Sequence, residues 1–143
     1  MKNLKRWLIC FVMVVLTGIV TMLWTPTAAA ETLYWSAAAE APETGRGTQT
    51  DPYHIRSAEE LAYFVFNYNS GNYAVLDTDI DLSGRQWDCY LQRFYRQLDG
   101  NGCTIRNLES DCGGLFYVIT KDGVVENLTV EICTDSVYSH AIA

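Results

Sequence analysis

Asp77, Asp79 and Asp81 alternate along Tyr73 to Leu82 (YAVLDTDIDL). In an extended strand their carboxylates share one face with Val75, while Leu76, Thr78, Ile80 and Leu82 share the other. Such a row could hold calcium or a cationic ligand, but hard-cation sites usually converge from a turn that adds backbone carbonyls. A solvated acidic face, which also discourages edge-to-edge pairing, is the simpler expectation. Trp87, Tyr90, Phe94, Tyr95 and Tyr117 form a second candidate set, since aromatic faces can carry a sugar or a partner protein; the competing expectation is that they fill a core. Beyond these the chemistry is sparse. No H-E-x-x-H, G-x-S-x-G or P-loop occurs. His54 and His140 are the only histidines, which leaves Ser/His/Asp and Cys/His constellations short of parts. Neither catalysis nor a cofactor is expected.

Cysteines depend on compartment. Cys89, Cys103, Cys112 and Cys133 contain no C-x-x-C pair, and with two histidines a zinc site is not expected. Their even number favours disulfides in an oxidising compartment, with three possible connectivities; buried thiols are the alternative. The N-terminus bears on this. Lys2, Lys5 and Arg6 precede an uncharged apolar run from Trp7 to Trp24, and Pro26 leads into Ala28-Ala29-Ala30. Small residues at Ala28 and Ala30 fit a signal-peptidase site, so residues 1–30 read as a signal peptide. The run is also just long enough to span a bilayer, which keeps an uncleaved membrane anchor as the alternative.

The whole chain of 143 residues carries a formal charge of −7, but the charge is unevenly placed. All 17 acidic residues lie from Glu31 onward against seven of the ten basic ones, so residues 31–143 carry −10. With no basic stripe, nucleic acid binding is excluded as an expectation. The length allows about one domain, and 49% apolar with 19% charged residues is a folding composition.

The elements follow from periodicity. Residues 31–50 lack sustained periodicity and read as a flexible leader, with Tyr34 and Trp35 able to dock. Ser57 and Glu60 form a capping box opening a helix over about 57–70, with Gly71 available to stop it. Several aromatics off its main stripe imply burial on more than one side. Tyr73 to Leu82 reads as one strand, Asp99-Gly100-Asn101-Gly102 as a tight reversal, and Cys103–Leu108, Gly113–Ile119 and Val124–Val130 as further strands. Asn127-Leu128-Thr129 is a glycosylation sequon, read as structural in an inward strand position. Ile105-Arg106-Asn107-Leu108 recurs as Val125-Glu126-Asn127-Leu128 at an offset of 20. Repetition of short strands between glycine turns suggests a solenoid in which equivalent asparagines stack.

Six ordered blocks carry a resemblance. They are G-x-G-T-x-x-D-P-Y-x-I (Gly45 to Ile55), S-A-E-E-L-A (Ser57 to Ala62), Y-x-x-L-x-x-D-I-D-L-S-G (Tyr73 to Gly84), Trp87, L-D-G-N-G-x-T-I-x-N-L (Leu98 to Leu108), and G-L-F (Gly114 to Phe116) with G-x-V-E-N-L-x-V (Gly123 to Val130). Over Gly45 to Glu131 the chain resembles bacterial surface proteins carrying the GLUG motif. The resemblance implies a mainly β fold, a short right-handed parallel β-helix over residues 51–143 with an N-terminal capping helix. It also implies secretion or a cell-surface location, as in adhesin-like proteins and the non-catalytic regions of IgA-protease-type metallopeptidases. Departures occur at Tyr117, where a second glycine is usual, and at Asp88-Cys89-Tyr90, where Pro-Ile-Gly is usual.

The resulting expectation is an exported, non-catalytic interaction module whose partner is a host or cell-envelope glycan or protein, touching membrane only through an uncleaved N-terminus. The open end of a solenoid would favour self-association unless the tail Thr134 to Ala143 covers it, and the chain could also be a fragment of a larger surface protein. The alternative is a polysaccharide lyase or glycosidase, using Asp77, Asp79 and Asp81 with Arg85 or Arg106; only fold analogy prompts it. Among disulfides Cys112–Cys133 is favoured, because 21 residues approximates one coil and stacked Cα atoms about 4.8 Å apart fall within bridging range.

Overall fold

The structure is a computed structural model, and it describes residues 31–67, 69–88 and 93–133. Among the described residues there are nine short strands and one α-helix: β1 (Tyr53–Ile55), α1 (Ala58–Phe66), β2 (Tyr73–Leu76), β3 (Ile80–Asp81), β4 (Arg93–Phe94), β5 (Gln97–Asp99), β6 (Thr104–Leu108), β7 (Val118–Ile119), β8 (Val124–Glu126) and β9 (Thr129–Ile132). The fold is therefore mainly β, and every pair of these strands is parallel. β1-β2-β5-β8 form one sheet, β3-β6-β9 a second and β4-β7 a third. From β2 onward the chain visits the three sheets in rotation, so β5 to β9 each stack on a strand about 25 residues earlier: Ile80, Ile105 and Val130 share a column, as do Phe94 and Ile119. The described residues from Thr32 on belong to one compact unit.

The helix begins where its cap predicts. Ser57 is in extended conformation and its side chain accepts from the Glu60 N–H at 3.2 Å. The Glu60 carboxylate reaches back one residue further than a capping box requires, accepting from the Arg56 N–H at 2.6 Å and from the Glu43 N–H at 3.2 Å. These charge-assisted bonds explain how Glu60 is tolerated at 8% exposure. Ala58, Leu61, Ala62, Phe64 and Val65 are also buried, the burial on several sides that the aromatics imply. The helix stops at Phe66, short of the expected residue 70. The guanidinium of the buried Arg96 donates to the carbonyls of Phe64 and Asn67, placing a cation at the negative end of the helix dipole. Gly71 serves a different need from the expected stop. A Cβ there would lie 2.4 Å from the Gly47 Cα, so the chain before β1 can cross it only where both residues are glycine.

Four further expectations change. Tyr73 to Leu82 is not one strand: the chain bends over Asp77 to Asp79 between β2 and β3, which belong to different sheets. Asn101 and Gly102 do take positive φ, 52° and 78°, but the turn is a corner between sheets rather than a reversal. Gly100 is needed there for closeness, since its Cβ would meet the Leu128 Cα at 2.6 Å. Only Val118–Ile119 of the expected 113–119 strand is extended pairing. The 20-residue match between IRNL and VENL is out of register: Val125 pairs with Leu98 and Ile105 with Val130, so the two copies lie in different sheets. What they share is a corner asparagine in the left-handed region, φ 56° at Asn107 and 53° at Asn127. Asparagine tolerates that conformation better than most side chains.

The corner asparagines bond downward rather than to each other. Asn107 Nδ2 donates to Asp81 Oδ1 at 2.9 Å, Asn127 Nδ2 to Asp99 Oδ1 at 3.0 Å, and Asn101 Nδ2 to the Leu76 carbonyl at 3.3 Å. Each bond ties one layer to the preceding one. Asn127 is also exposed, correcting the inward position assigned to the sequon.

The core is continuous from the helix through the strands. Ile55, Leu76, Leu98, Ile80 and Ile105 are almost fully buried. Beside them runs a file of rings: Tyr53 and Phe64 with centroids 6.5 Å apart, Phe64 and Phe94 at 6.1 Å, and Phe94 stacked on Phe116 at 4.2 Å. The leader is docked rather than loose. Trp35 is buried, its Nε1 donates to the Leu82 carbonyl at 3.0 Å, and Leu33 to Trp35 exchanges backbone bonds with Gln86. Burying one indole with its polar tip satisfied stabilises this segment without periodicity.

Candidate functional site

The three aspartates illustrate what the corners do to an apparent cation site. Asp77 Oδ1 lies 2.8 Å from His54 Nδ1, and its Oδ2 accepts from Arg56 Nε at 2.9 Å. The His54 hydrogen bond holds its carboxyl below the usual carboxylate range, with Arg56 adding to the effect. Asp79 pairs with Arg106 at 3.0 Å and accepts from the Thr104 N–H at 2.8 Å. Asp81 accepts from Asn107 and from the Ser83 N–H at 2.9 Å, and the Asn107 bond chiefly lowers its pKa. Bending between β2 and β3 thus gives each carboxylate its own partners. Among the described residues no group of three or more His, Cys, Asp or Glu side chains is placed to hold a metal ion.

Arg106 and Arg85 are likewise separated from one another's chemistry. Arg106 also reaches Glu131 at 3.7 Å, forming a charge ladder on the outside of the second sheet. Arg85 sits over the Trp35 ring at 5.7 Å. Arg106 is thus brought against Asp79, whereas Arg85 is placed on the Trp35 ring.

The aromatic set divides. Trp87 and Phe94 are buried, at 0% and 4% exposure, which corrects their assignment to a ring surface. Trp87 tilts against Phe66 at 4.8 Å and donates through Nε1 to the Leu115 carbonyl at 2.8 Å. A bulky ring at the start of a sheet-to-sheet connection is drawn inward because it can be satisfied there. Tyr95 and Tyr117 are exposed; Tyr90 lies outside the described residues, as do Ala28, Ala30 and Cys89. Cys103 and Cys133 are free thiols, so the Cys112–Cys133 bridge is not made. Its premise was the 21-residue spacing, whereas stacked positions are about 25 residues apart. Cys112 is disulfide-bonded.

Two concave regions lined by described residues bear on function. One, of about 550 Å3, lies beneath the last strands and is lined by Leu115, Phe116, Ile119, Val125, Leu128 and Val130. Among the described residues β8 and β9 are the last strands of their sheets, and this region is the inner side of both. The other, of about 290 Å3, lies on the outer face of the first sheet, lined among others by Gln49, Tyr73, Val75, Gln97, Asp99 and Glu126. The pleat explains its lining. Ala74, Leu76 and Leu98 point into the core, so Tyr73, Val75, Gln97 and Asp99 must point outward. Stacking of parallel strands in register then sets Tyr73 beside Gln97, and Val75 beside Asp99 beside Glu126.

Sequence reasoning had no route to this groove, because its residues come from four segments that only the register brings together. The available signal was the alternation within Tyr73 to Leu76, which marks Tyr73 and Val75 as outward. No described helix is long and apolar enough to cross a membrane. Comparison with family models, curated proteins and solved structures finds no match.

Proposed function

We propose that this chain folds as a short right-handed parallel β-helix, capped on its first rung by α1, and serves as an exported cell-surface or secreted interaction module without catalytic activity. The carrying observation is the rotation of the chain through three parallel sheets with stacked partners about 25 residues apart, the pattern a three-sided helix of strands requires. Parallel crossovers are right-handed in nearly all proteins, which supplies the handedness. Interaction rather than catalysis is supported by the aspartates, each of which is engaged by neighbours within the fold.

Two measurements test the reading. Size exclusion with light scattering and thermal unfolding should give a monodisperse species with one cooperative transition. A non-cooperative melt would contradict a self-sufficient module. Mass spectrometry of protein expressed in a bacterial host should find cleavage after Ala30 and recovery outside the cytoplasm. An intact N-terminus in the cytoplasmic fraction would overturn the export reading, and one in the membrane fraction would favour the anchor.

A further inference from the structure

We infer that the groove on the outer face of β2, β5 and β8 binds an uncharged or amino-bearing oligosaccharide laid across the strands; this rests on the interaction-module reading and names its ligand class.

The groove is built before any ligand arrives. Its side wall is the turn Thr48 to Asp51, closed by reciprocal backbone bonds of 3.1 and 3.2 Å. That turn is fixed to the sheet because the N–H groups of Asn72 and Tyr73 both donate to the Gly47 carbonyl, at 2.9 and 3.2 Å. The Gly47–Gly71 contact permits this approach. Gln49, at the tip of the turn, therefore stands over the strand that carries Tyr73. A wall set by backbone bonds is preorganised, so little ordering cost falls on binding.

The lining selects the ligand class. A half-buried tyrosine ring offers an apolar face with a polar tip, suited to the face of a pyranose. Gln49 and Gln97 supply planar amides that both donate and accept; Glu126, and Asp99 through the Oδ2 that Asn101 and Asn127 do not use, can accept from hydroxyl or ammonium groups. No lysine or arginine is among the described residues that line the groove, so a uronate or phosphate-bearing polymer would meet two carboxylates there and no described cation. An extended peptide fits less well. β2 and β5 are paired on both sides, so strand addition to this sheet would have to occur beyond β8, away from Gln49 and Tyr73. The groove crosses strands about 4.8 Å apart, so successive units of a linear chain would meet successive strands. Its volume is close to the lower end for small-molecule pockets, roughly 300 Å3, so one part of the oligomer would be held and the rest would lie along the sheet.

The test is calorimetric titration of the purified full chain with four hexamers: glucosamine, cellohexaose, galacturonate and lysine. Glucosamine and cellohexaose should bind, with glucosamine the tighter. Tyr73→Ala should weaken both at least tenfold, Tyr73→Phe should change binding less than threefold, and Gln97→Ala should weaken both severalfold. Glu126→Gln should reduce the preference for glucosamine. Gln97 and Glu126 are exposed, so these variants keep the test valid where Tyr73→Ala unfolds. Absence of saccharide binding, tighter binding of galacturonate, binding of hexalysine alone, or saccharide binding unchanged in Gln97→Ala and Glu126→Gln would each overturn the inference. Shortening of a bound oligomer would instead overturn the non-catalytic reading and leave the groove assignment standing.

Discussion

Replacing Arg96 by methionine tests how the helix is joined to the strands. The side chain is 3% exposed and its guanidinium donates to Phe64 and Asn67, the latter at 2.6 Å. It also lies 5.5 Å over the Phe64 ring and 5.2 Å over the Tyr95 ring. Hydrogen bonds to a charged group contribute about 1.5–3 kcal/mol each, so the two together contribute roughly 3–6 kcal/mol. Part of this is returned, because methionine removes a buried cation that costs several kcal/mol to desolvate. The Phe64 carbonyl also keeps a bond from Ser70 Oγ at 3.2 Å. The expected net loss for Arg96→Met is about 2–3 kcal/mol, or a fall in melting temperature of roughly 10–20 °C. Arg96→Lys should lose at least as much, since an ammonium keeps the buried charge but cannot fork between two carbonyls. Urea unfolding followed by circular dichroism measures both. A methionine variant within about 0.5 kcal/mol of the parent, well inside the usual range of surface substitutions, would refute the view that this guanidinium fixes the helix.

Gly71→Ala should destabilise by about 1–3 kcal/mol through overpacking against Gly47, read as a lower urea midpoint with an unchanged slope; an unchanged midpoint would show that the segment before β1 can shift away. Asp77 has a lowered folded pKa, so its contribution is present above the unfolded value near 3.9 and is lost as pH falls through the folded value. Asp77→Asn should therefore lower stability at pH 7 and flatten the acid limb of a stability–pH curve below about pH 4; an acid limb identical to the parent's would remove Asp77 from the explanation. Alkylation of denatured, unreduced protein followed by peptide mapping should label Cys103 and Cys133 and spare Cys112, and a labelled Cys112 would contradict its disulfide.

Local features were legible in the sequence to the extent that backbone chemistry is local. The Ser57–Glu60 pair located the start of α1, alternation located the inward residues Leu76 and Ile80, and the Asn-Gly dipeptide located a positive-φ corner. Distant partners were not legible. Nothing near Phe66 says that Arg96, 30 residues later, ends the helix, and nothing in Asp77-Thr78-Asp79 distinguishes a bend from a continuing strand. The IRNL and VENL match reflected a shared corner asparagine, a real similarity of conformation that carries no information about register. Aromatic side chains were the most ambiguous, since Trp87 and Tyr95 differ in burial for reasons set by the layers around them. The groove residues were unreadable as a set, because Gln49, Tyr73, Gln97 and Glu126 meet only once three strands and a turn are aligned.

The stacking interval of about 25 residues has a consequence for the order of events during biosynthesis. Parallel partners this distant cannot pair until the intervening segment has been made, so contact order is high and folding from a denatured chain should be slow. A chain emerging from its N-terminus has a simpler task, because Trp35, α1 and β1 are available first and every later strand finds its template already present. Folding would then advance in steps, one layer for each 25 or so residues released, with a single growing edge exposed at any moment. Synthesis and folding would run in the same direction, which shortens the time during which several unpaired strands compete for wrong partners.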